Sequence, residues 1–222
     1  PGLQRTGGLA ALYISAAYLV AIPYFVLIVD YPSVTDSASK VDLLVANTTS
    51  LQWMHVVCFE LVALAVVVVT VALYRRLAPA ARPLAQLGAA VGLAYAALLL
   101  ASVQVYIFGM NAVVSLHATS PEQAVAAWQA IEPVAEGLGG SGGQIAGGVW
   151  VLVVSVTAHR AGALPAALIW LGGGTAVLGI LSTAPGLGGL EAAFGLLQIV
   201  WFLWLGIALL RAPTAARHVT SE

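Results

Sequence analysis

The sequence predicts an all-α membrane protein: a single polytopic bundle of six transmembrane helices. Of its 222 residues, 61% are hydrophobic and only 8% are charged, whereas about a quarter of a soluble domain is charged. Six long apolar stretches of roughly 20 residues, the length that crosses a bilayer, take up almost the whole chain. We therefore expect one integral membrane domain over residues 1–222, with the lipid bilayer as its surroundings.

The positions of the basic residues predict the orientation. Seven of the eight lie in alternate gaps between the apolar stretches, and only Lys40 lies in a gap of the other parity. The seven are Arg5, Arg75, Arg76, Arg82, Arg160, Arg211 and Arg217. Because positive residues near spans stay on the cytoplasmic side, both termini are expected in the cytoplasm, in a multi-pass protein of the cell's inner (plasma) membrane.

Acidic residues accumulate on the side that this topology places outside. They are Asp30, Asp36, Asp42, Glu122, Glu132, Glu136 and Glu191, against the single Lys40. An acidic outer face disfavours nucleic acid as a partner. A second interpretation stays open, in which acidic residues are only tolerated where basic ones are excluded.

The spans are expected at about residues 8–30, 51–74, 84–114, 143–158, 164–183 and 190–211. Pro23 should kink the first span near its outer end. Residues 78–83, rich in proline and alanine, should form a tight cytoplasmic turn. The outer loop before span two carries a short apolar stripe at Val41, Leu44 and Val45, which we expect to lie on the membrane surface.

A shorter amphipathic helix is predicted on the outer face, before span four. Ser120-Pro121-Glu122-Gln123 is a helix-start signature. Ala124, Trp128, Ile131 and Ala135 follow at helical spacing. We expect Pro133 to interrupt this helix.

Glycines predict close packing of helices. Gly139, Gly143 and Gly147 recur every four residues, and Gly172, Gly173 and Gly174 lie inside span five. Small residues at such spacing let helix backbones approach each other. Packing within the chain is one interpretation; a homo-oligomer or a protein partner bound through the glycine-rich faces of spans four and five is the other.

Polar side chains inside the spans are the candidate site. Glu60 lies in span two, and Gln104, Gln144 and Gln198 lie in spans three, four and six, at a similar predicted depth. His55 belongs to the same outer half. Either these groups link helices by hydrogen bonds, or they line an outward-facing polar cavity around Glu60 that takes a ligand, a proton or an ion.

The sequence offers few residues suited to metal binding or catalysis. His55 and His117 are weak metal candidates that would need Glu122 or Glu132 to complete a zinc or copper site. The chain has no HExxH motif, no phosphate-binding glycine loop and no lysine in a span. We therefore expect no catalytic residue, no bound metal and no cofactor.

Three segments at the predicted cytoplasmic edges resemble one family. They are Arg5-Thr6-Gly7 leading into Leu12-Tyr13, residues 73–79 (LYRRLAP) and residues 159–165 (HRAGALP). Together they resemble a widespread family of small bacterial six-span integral membrane proteins classed as a domain of unknown function. Members often carry an acidic residue where Gln198 stands, and a polar or histidine-containing start of span four. The resemblance implies fold and location rather than an activity.

Two functional classes follow from these observations. The favoured one is a non-catalytic accessory or partner-binding subunit of a membrane complex, since the chain has short loops and a large apolar surface. The alternative is a small transporter or ligand-binding membrane protein, with an outward-facing polar cavity around Glu60.

Overall fold

A computed structural model of the protein describes residues 2–139 and 143–211, and every regular element in these residues is helical. The predicted all-α class is confirmed. Arg217 and part of the glycine-rich stretch before span four lie outside the described residues. The α-helices are α1 (Gly2–Pro23), α2 (Ser37–His55), α3 (Leu61–His117), α4 (Pro121–Gly139), α5 (Gly143–Ala161), α6 (Ala166–Ser182) and α7 (Leu190–Arg211).

Several helical stretches are long and apolar enough to cross a membrane. Gly2–Ile28, Ser37–His117 and Leu190–Arg211 are among them, and Ala166–Ser182 is apolar but shorter. Leucines, valines and tryptophans are exposed along these helices, as in Leu27, Trp53 and Trp170. Such a surface suits contact with lipid, so the helices are compatible with a membrane helix bundle.

The long helix α3 folds back on itself. Ala81 has non-helical angles (φ −147°, ψ 57°), between Pro79 and Pro83, so α3 consists of two limbs, residues 61–80 and 82–117. The limbs pack side by side, since a methyl group added at Gly92 would lie 2.5 Å from Thr70 Oγ1. The turn predicted at residues 78–83 is therefore present, and its limbs correspond to spans two and three.

Both limbs continue far beyond a bilayer's thickness. Residues 37–80 form an almost unbroken helix of about 66 Å, and residues 82–117 one of about 54 Å, at 1.5 Å per residue. A hydrocarbon core is only about 30 Å thick. The predicted outer loop is therefore wrong: residues 37–55 are helical, and Val41 and Leu44 are buried in protein rather than lying on the membrane surface.

The extra lengths pack with α4 into a layer that we call the head, formed by residues 37–55, 106–117 and 121–139. Its separate core consists of Val41, Leu44, Leu51, Met110, Val113, Ala124 and Trp128. The predicted amphipathic helix is confirmed as α4, which buries Ala124, Trp128 and Ala135. The predicted interruption is wrong, because α4 runs through the exposed Pro133 to Gly139.

The arginine-bearing helix ends meet at the end of the bundle opposite the head. Gln4 Nε2 donates to the Leu209 carbonyl (2.9 Å), which joins the start of α1 to the end of α7. Arg76 Nη2 donates to the Ala163 carbonyl (2.8 Å), which joins the turn of α3 to the turn between α5 and α6. We call this the basic end.

Several glycines of α5 and α6 pack against other helices of the same chain. A methyl group at Gly148 would lie 3.0 Å from the Ala176 carbonyl, and one at Gly172 would lie 2.3 Å from Ser155 Oγ. Gly173 and Gly174 have no described neighbour at that range. Packing within the chain thus accounts for part of the pattern, and a partner on the other side of α6 stays a prediction.

Candidate functional site

A cavity of about 240 Å³ lies where the head meets the bundle, and we call it the head cavity. Aromatic side chains from four parts of the chain line it. They are Phe25 and Tyr31 after α1, His55 and Phe59 around the end of α2, Tyr106 of α3 and Trp128 of α4. Leu51, Leu99 and Met110 complete an apolar wall.

His55 is at the centre of these rings. Its ring centroid lies 5.5 Å from those of Phe25 and Phe59 and 5.0 Å from that of Tyr106. The side chain is 8% exposed, and Nδ1 lies 2.8 Å from the Leu51 carbonyl. Because a carbonyl only accepts, Nδ1 carries the proton and donates, which orients the ring.

Two carboxylates of α4 form the polar side of the site. The Tyr106 hydroxyl donates to Glu136 Oε1 (2.8 Å), and Glu136 lines the cavity. One turn earlier, Glu132 Oε1 accepts from the Tyr31 hydroxyl (2.6 Å) and from Lys40 Nζ (2.7 Å). Lys40, the one basic residue of the other parity, therefore neutralises a half-buried carboxylate.

Tyr31 closes the cavity on the head side. Its hydroxyl accepts from Trp128 Nε1 (3.2 Å), and Lys40 Nζ lies 5.2 Å from the centre of its ring. Burial and the adjacent Glu132 carboxylate raise the pKa of Tyr31 above its ordinary value. The phenol therefore keeps its proton and remains a hydrogen-bond donor to Glu132.

Two π-helical turns place phenylalanines at the cavity. They span Tyr24–Ile28 and Val56–Glu60, and each carries one lining ring, Phe25 or Phe59. In the second turn the Leu61 amide donates to the Val56 carbonyl, so the Val57 carbonyl loses its helical partner. The Tyr13 hydroxyl donates to that Val57 carbonyl instead. Such turns occur frequently at functional sites.

A second cavity, of about 340 Å³, is lined by residues of α1, α3, α5 and α7, and we call it the core cavity. It shares Phe59, Leu99 and Gly139 with the head cavity, so these residues separate the two spaces. Gln144 and Gln198 line the core cavity.

Residues 9–211 match the family described as "Domain of unknown function (DUF4386)". The chain belongs to this family. The match runs from α1 to the end of α7 and confirms the resemblance to a family of unknown function. Searches of curated proteins and of solved structures each gave no match. Since the DUF4386 description assigns no activity, a function for this chain has to be argued from its own site.

The structure distributes the residues of the predicted site over several places. His55 lines the head cavity, Gln144 and Gln198 line the core cavity, and Glu60 and Gln104 line neither. Glu60 is half-buried and follows the exposed Trp53 and Val57 on the same helix. Glu60 lies about 31 Å along that helix from Ala81. A span beginning at residue 51 predicts a position near the membrane midplane, so Glu60 is farther from the turn than expected.

Sequence reasoning missed Phe25, Tyr31 and Glu136 as members of a site. One available signal was the spacing of Trp128, Glu132 and Glu136, which recur every four residues and therefore share a face of α4. The π turns leave no comparable signature in the sequence.

The two weak metal candidates, His55 and His117, have different partners. His55 is held by the Leu51 carbonyl, whereas His117 Nε2 lies 3.8 Å from Asp42 Oδ1 at the surface of the head. Within residues 2–139 and 143–211, no three His, Cys, Asp or Glu side chains are grouped closely enough to hold a metal ion.

Proposed function

We propose that this chain is a six-span membrane protein that binds a small organic cation with an apolar body in the head cavity. The observation that carries the proposal is the convergence of the Phe59, Tyr106 and Trp128 rings around His55 and beside the Glu136 carboxylate, in one cavity at the boundary of head and bundle. This develops the ligand-binding alternative of the sequence analysis, with the site moved from Glu60 to His55 and Glu136.

In the proposed topology α1, the two limbs of α3, α5, α6 and α7 cross the membrane. The basic end is then cytoplasmic and the head is outside, because arginines at helix ends are retained in the cytoplasm. Lys40 is the one described basic residue that this orientation places outside. Its ion pair with Glu132 gives it a structural role there, which supports the orientation. His55 lies about 39 Å along its helix from Ala81, which places the head cavity near the outer membrane boundary.

The lining favours a cation over an anion or a sugar. Aromatic faces attract cations, by about 0.5 to 2 kcal/mol per ring when water is excluded. The Glu136 carboxylate adds charge complementarity, and no lysine or arginine is among the described lining residues. Leu51, Leu99 and Met110 provide apolar contact for the remainder of the ligand.

The accessory-subunit role stays a prediction. It rests on the exposed apolar helix surface, which lipid alone also explains. Recovery of a stoichiometric protein partner after mild solubilisation of native membranes would support that role.

Binding of benzyltrimethylammonium to the purified protein in nanodiscs, measured by isothermal titration calorimetry, tests the proposal. We expect saturable binding, with the uncharged isostere neopentylbenzene at least tenfold weaker, a factor that corresponds to about 1.4 kcal/mol. Glu136→Gln should weaken the cation about tenfold. Glu122→Gln, at an exposed position of the same helix, is the matched control and should bind like wild type.

Equal affinity for the cation and its uncharged isostere would contradict the proposal. Unchanged binding in Glu136→Gln would contradict it as well, and so would the absence of saturable binding to the wild-type protein.

A further inference from the structure

The core cavity contains a buried hydrogen-bond donor without an acceptor. Gln198 of α7 is 4% exposed and lines this cavity, and its Nε2 has no hydrogen-bond partner among the described residues. Leaving such a group unsatisfied costs about 1–3 kcal/mol. The hydrocarbon tails of lipid carry no acceptor. The cavity itself is the space from which an acceptor can reach Gln198.

A second amide from another helix lines the same space. Gln144 of α5 is 8% exposed, and its Oε1 shares the single hydroxyl hydrogen of Ser182 on α6 with the Gly179 carbonyl. With the oxygen directed at Ser182, the amide NH₂ of Gln144 remains a hydrogen-bond donor. The Tyr95 hydroxyl interacts with both Gln198 and Tyr18, but its geometry does not satisfy Gln198 Nε2 as a hydrogen-bond donor. Two amide donors on different helices thus border one cavity.

The remaining wall restricts the chemistry of an occupant. Tyr18, Phe59 and Phe194 supply aromatic surface, and Leu99 and Ile199 supply aliphatic surface. Glu191 lines the cavity too, and no lysine, arginine or histidine is among its described lining residues, so an anion is disfavoured. A quaternary cation has no lone pair with which to accept from an amide.

We infer that the core cavity is a second binding site, for a neutral ring compound whose carbonyl oxygen accepts a hydrogen bond from Gln198. The ring packs against the aromatic wall, and the carbonyl supplies the acceptor that the described protein residues do not. The inference goes beyond the proposed function, because it concerns another cavity, another residue and a ligand without charge.

Duroquinone and durene are a matched pair of probes, since they share a methylated six-membered ring and differ in the two carbonyl groups. We expect calorimetry to show saturable duroquinone binding to the protein in nanodiscs, with durene at least tenfold weaker. Gln198→Met, which keeps the side-chain length and removes the donor, should weaken duroquinone about tenfold. Gln104→Met is the control at a glutamine that lines neither cavity, and it should bind like wild type.

A measurement on the wild-type protein covers the case in which Gln198→Met does not fold. Infrared difference spectra of bound duroquinone should show a carbonyl stretch at lower frequency than in alkane solvent, as expected of a hydrogen-bonded carbonyl. Equal binding of durene, an unshifted carbonyl stretch, or an unaffected Gln198→Met protein would overturn the inference. Displacement of duroquinone by benzyltrimethylammonium would overturn it too, because it would place the quinone in the head cavity. The absence of saturable duroquinone binding would also overturn the inference, because it is the result expected of a cavity that holds only water.

Discussion

The hydroxyl of Tyr13 is expected to stabilise the π turn that carries Phe59. It donates to the Val57 carbonyl, which the helix leaves without a partner because the Leu61 amide bonds to Val56 instead. Val57 is 40% exposed and lies about 36 Å along its helix from Ala81, near the outer boundary of the proposed membrane, so water replaces the lost donor only in part. Hydrogen bonds between transmembrane side chains average about 0.6 kcal/mol and reach about 1.7 kcal/mol. A carbonyl that is orphaned at this boundary belongs near the middle of this range, at about 1 kcal/mol.

We therefore expect Tyr13→Phe to lower the free energy of unfolding by about 1 kcal/mol. Reversible unfolding in mixed micelles with increasing denaturing detergent measures this difference. Tyr74→Phe is the matched control, because Tyr74 has no hydrogen bond to the described residues and should change stability by less than about 0.5 kcal/mol. Equal effects of the two substitutions would refute the assignment of this bond to the π turn.

Three further changes test the packing and the head. In the same unfolding assay, Gly206→Ala should destabilise the protein by about 1–3 kcal/mol. The new methyl group would lie only 2.9 Å from the Gly8 backbone carbonyl. Lys40→Met should cost about 1–2 kcal/mol, since it leaves Glu132, whose side chain is 18% exposed, without its cation. Asp36→Ala should lower the thermal midpoint at neutral pH, and the difference from wild type should shrink in acid. The backbone amide at the start of α2 lowers the pKa of Asp36 below 3.8, so its stabilisation is present above that value and is lost as pH falls through the folded-state pKa.

Each of these changes has its own control and contrary result. Gly174→Ala adds the same methyl group where no described atom lies within 4 Å, and it should be neutral or slightly stabilising. Glu132→Gln should restore most of the loss in Lys40→Met, and additive losses would argue against the ion pair. A pH-independent effect of Asp36→Ala would show that its carboxylate does not cap α2.

The bundle was predictable because lipid imposes simple rules on a sequence. Apolar stretches of sufficient length, proline-flanked Ala81 and the helix-start signature at residues 120–123 correspond to elements of the structure. The head was not predictable in the same way. A stripe such as Val41 and Leu44 has the same periodicity whether lipid or protein covers it, and the covering residues, Met110 and Trp128, come more than 60 positions later.

The candidate site was predictable only in part. His55, Gln144 and Gln198 do line cavities, because polar groups in a lipid-embedded bundle turn inward. Glu60 lines neither cavity, and it is the last residue of the π turn at Val56–Glu60. The additional residue of a π turn rotates the following side chains by about 100° relative to a regular helix, and helical spacing does not reveal it.

The central claim is that the head cavity holds an organic cation among its aromatic rings. Its most direct test is a nuclear Overhauser measurement between the N-methyl protons of benzyltrimethylammonium and the aromatic protons of the protein in micelles. The account predicts contacts to the rings of His55, Tyr106 and Trp128, together with an upfield shift of the methyl resonance. Contacts confined to the exposed Trp53 and Trp170 would show that the cation only partitions onto the lipid-facing surface, and would contradict the claim.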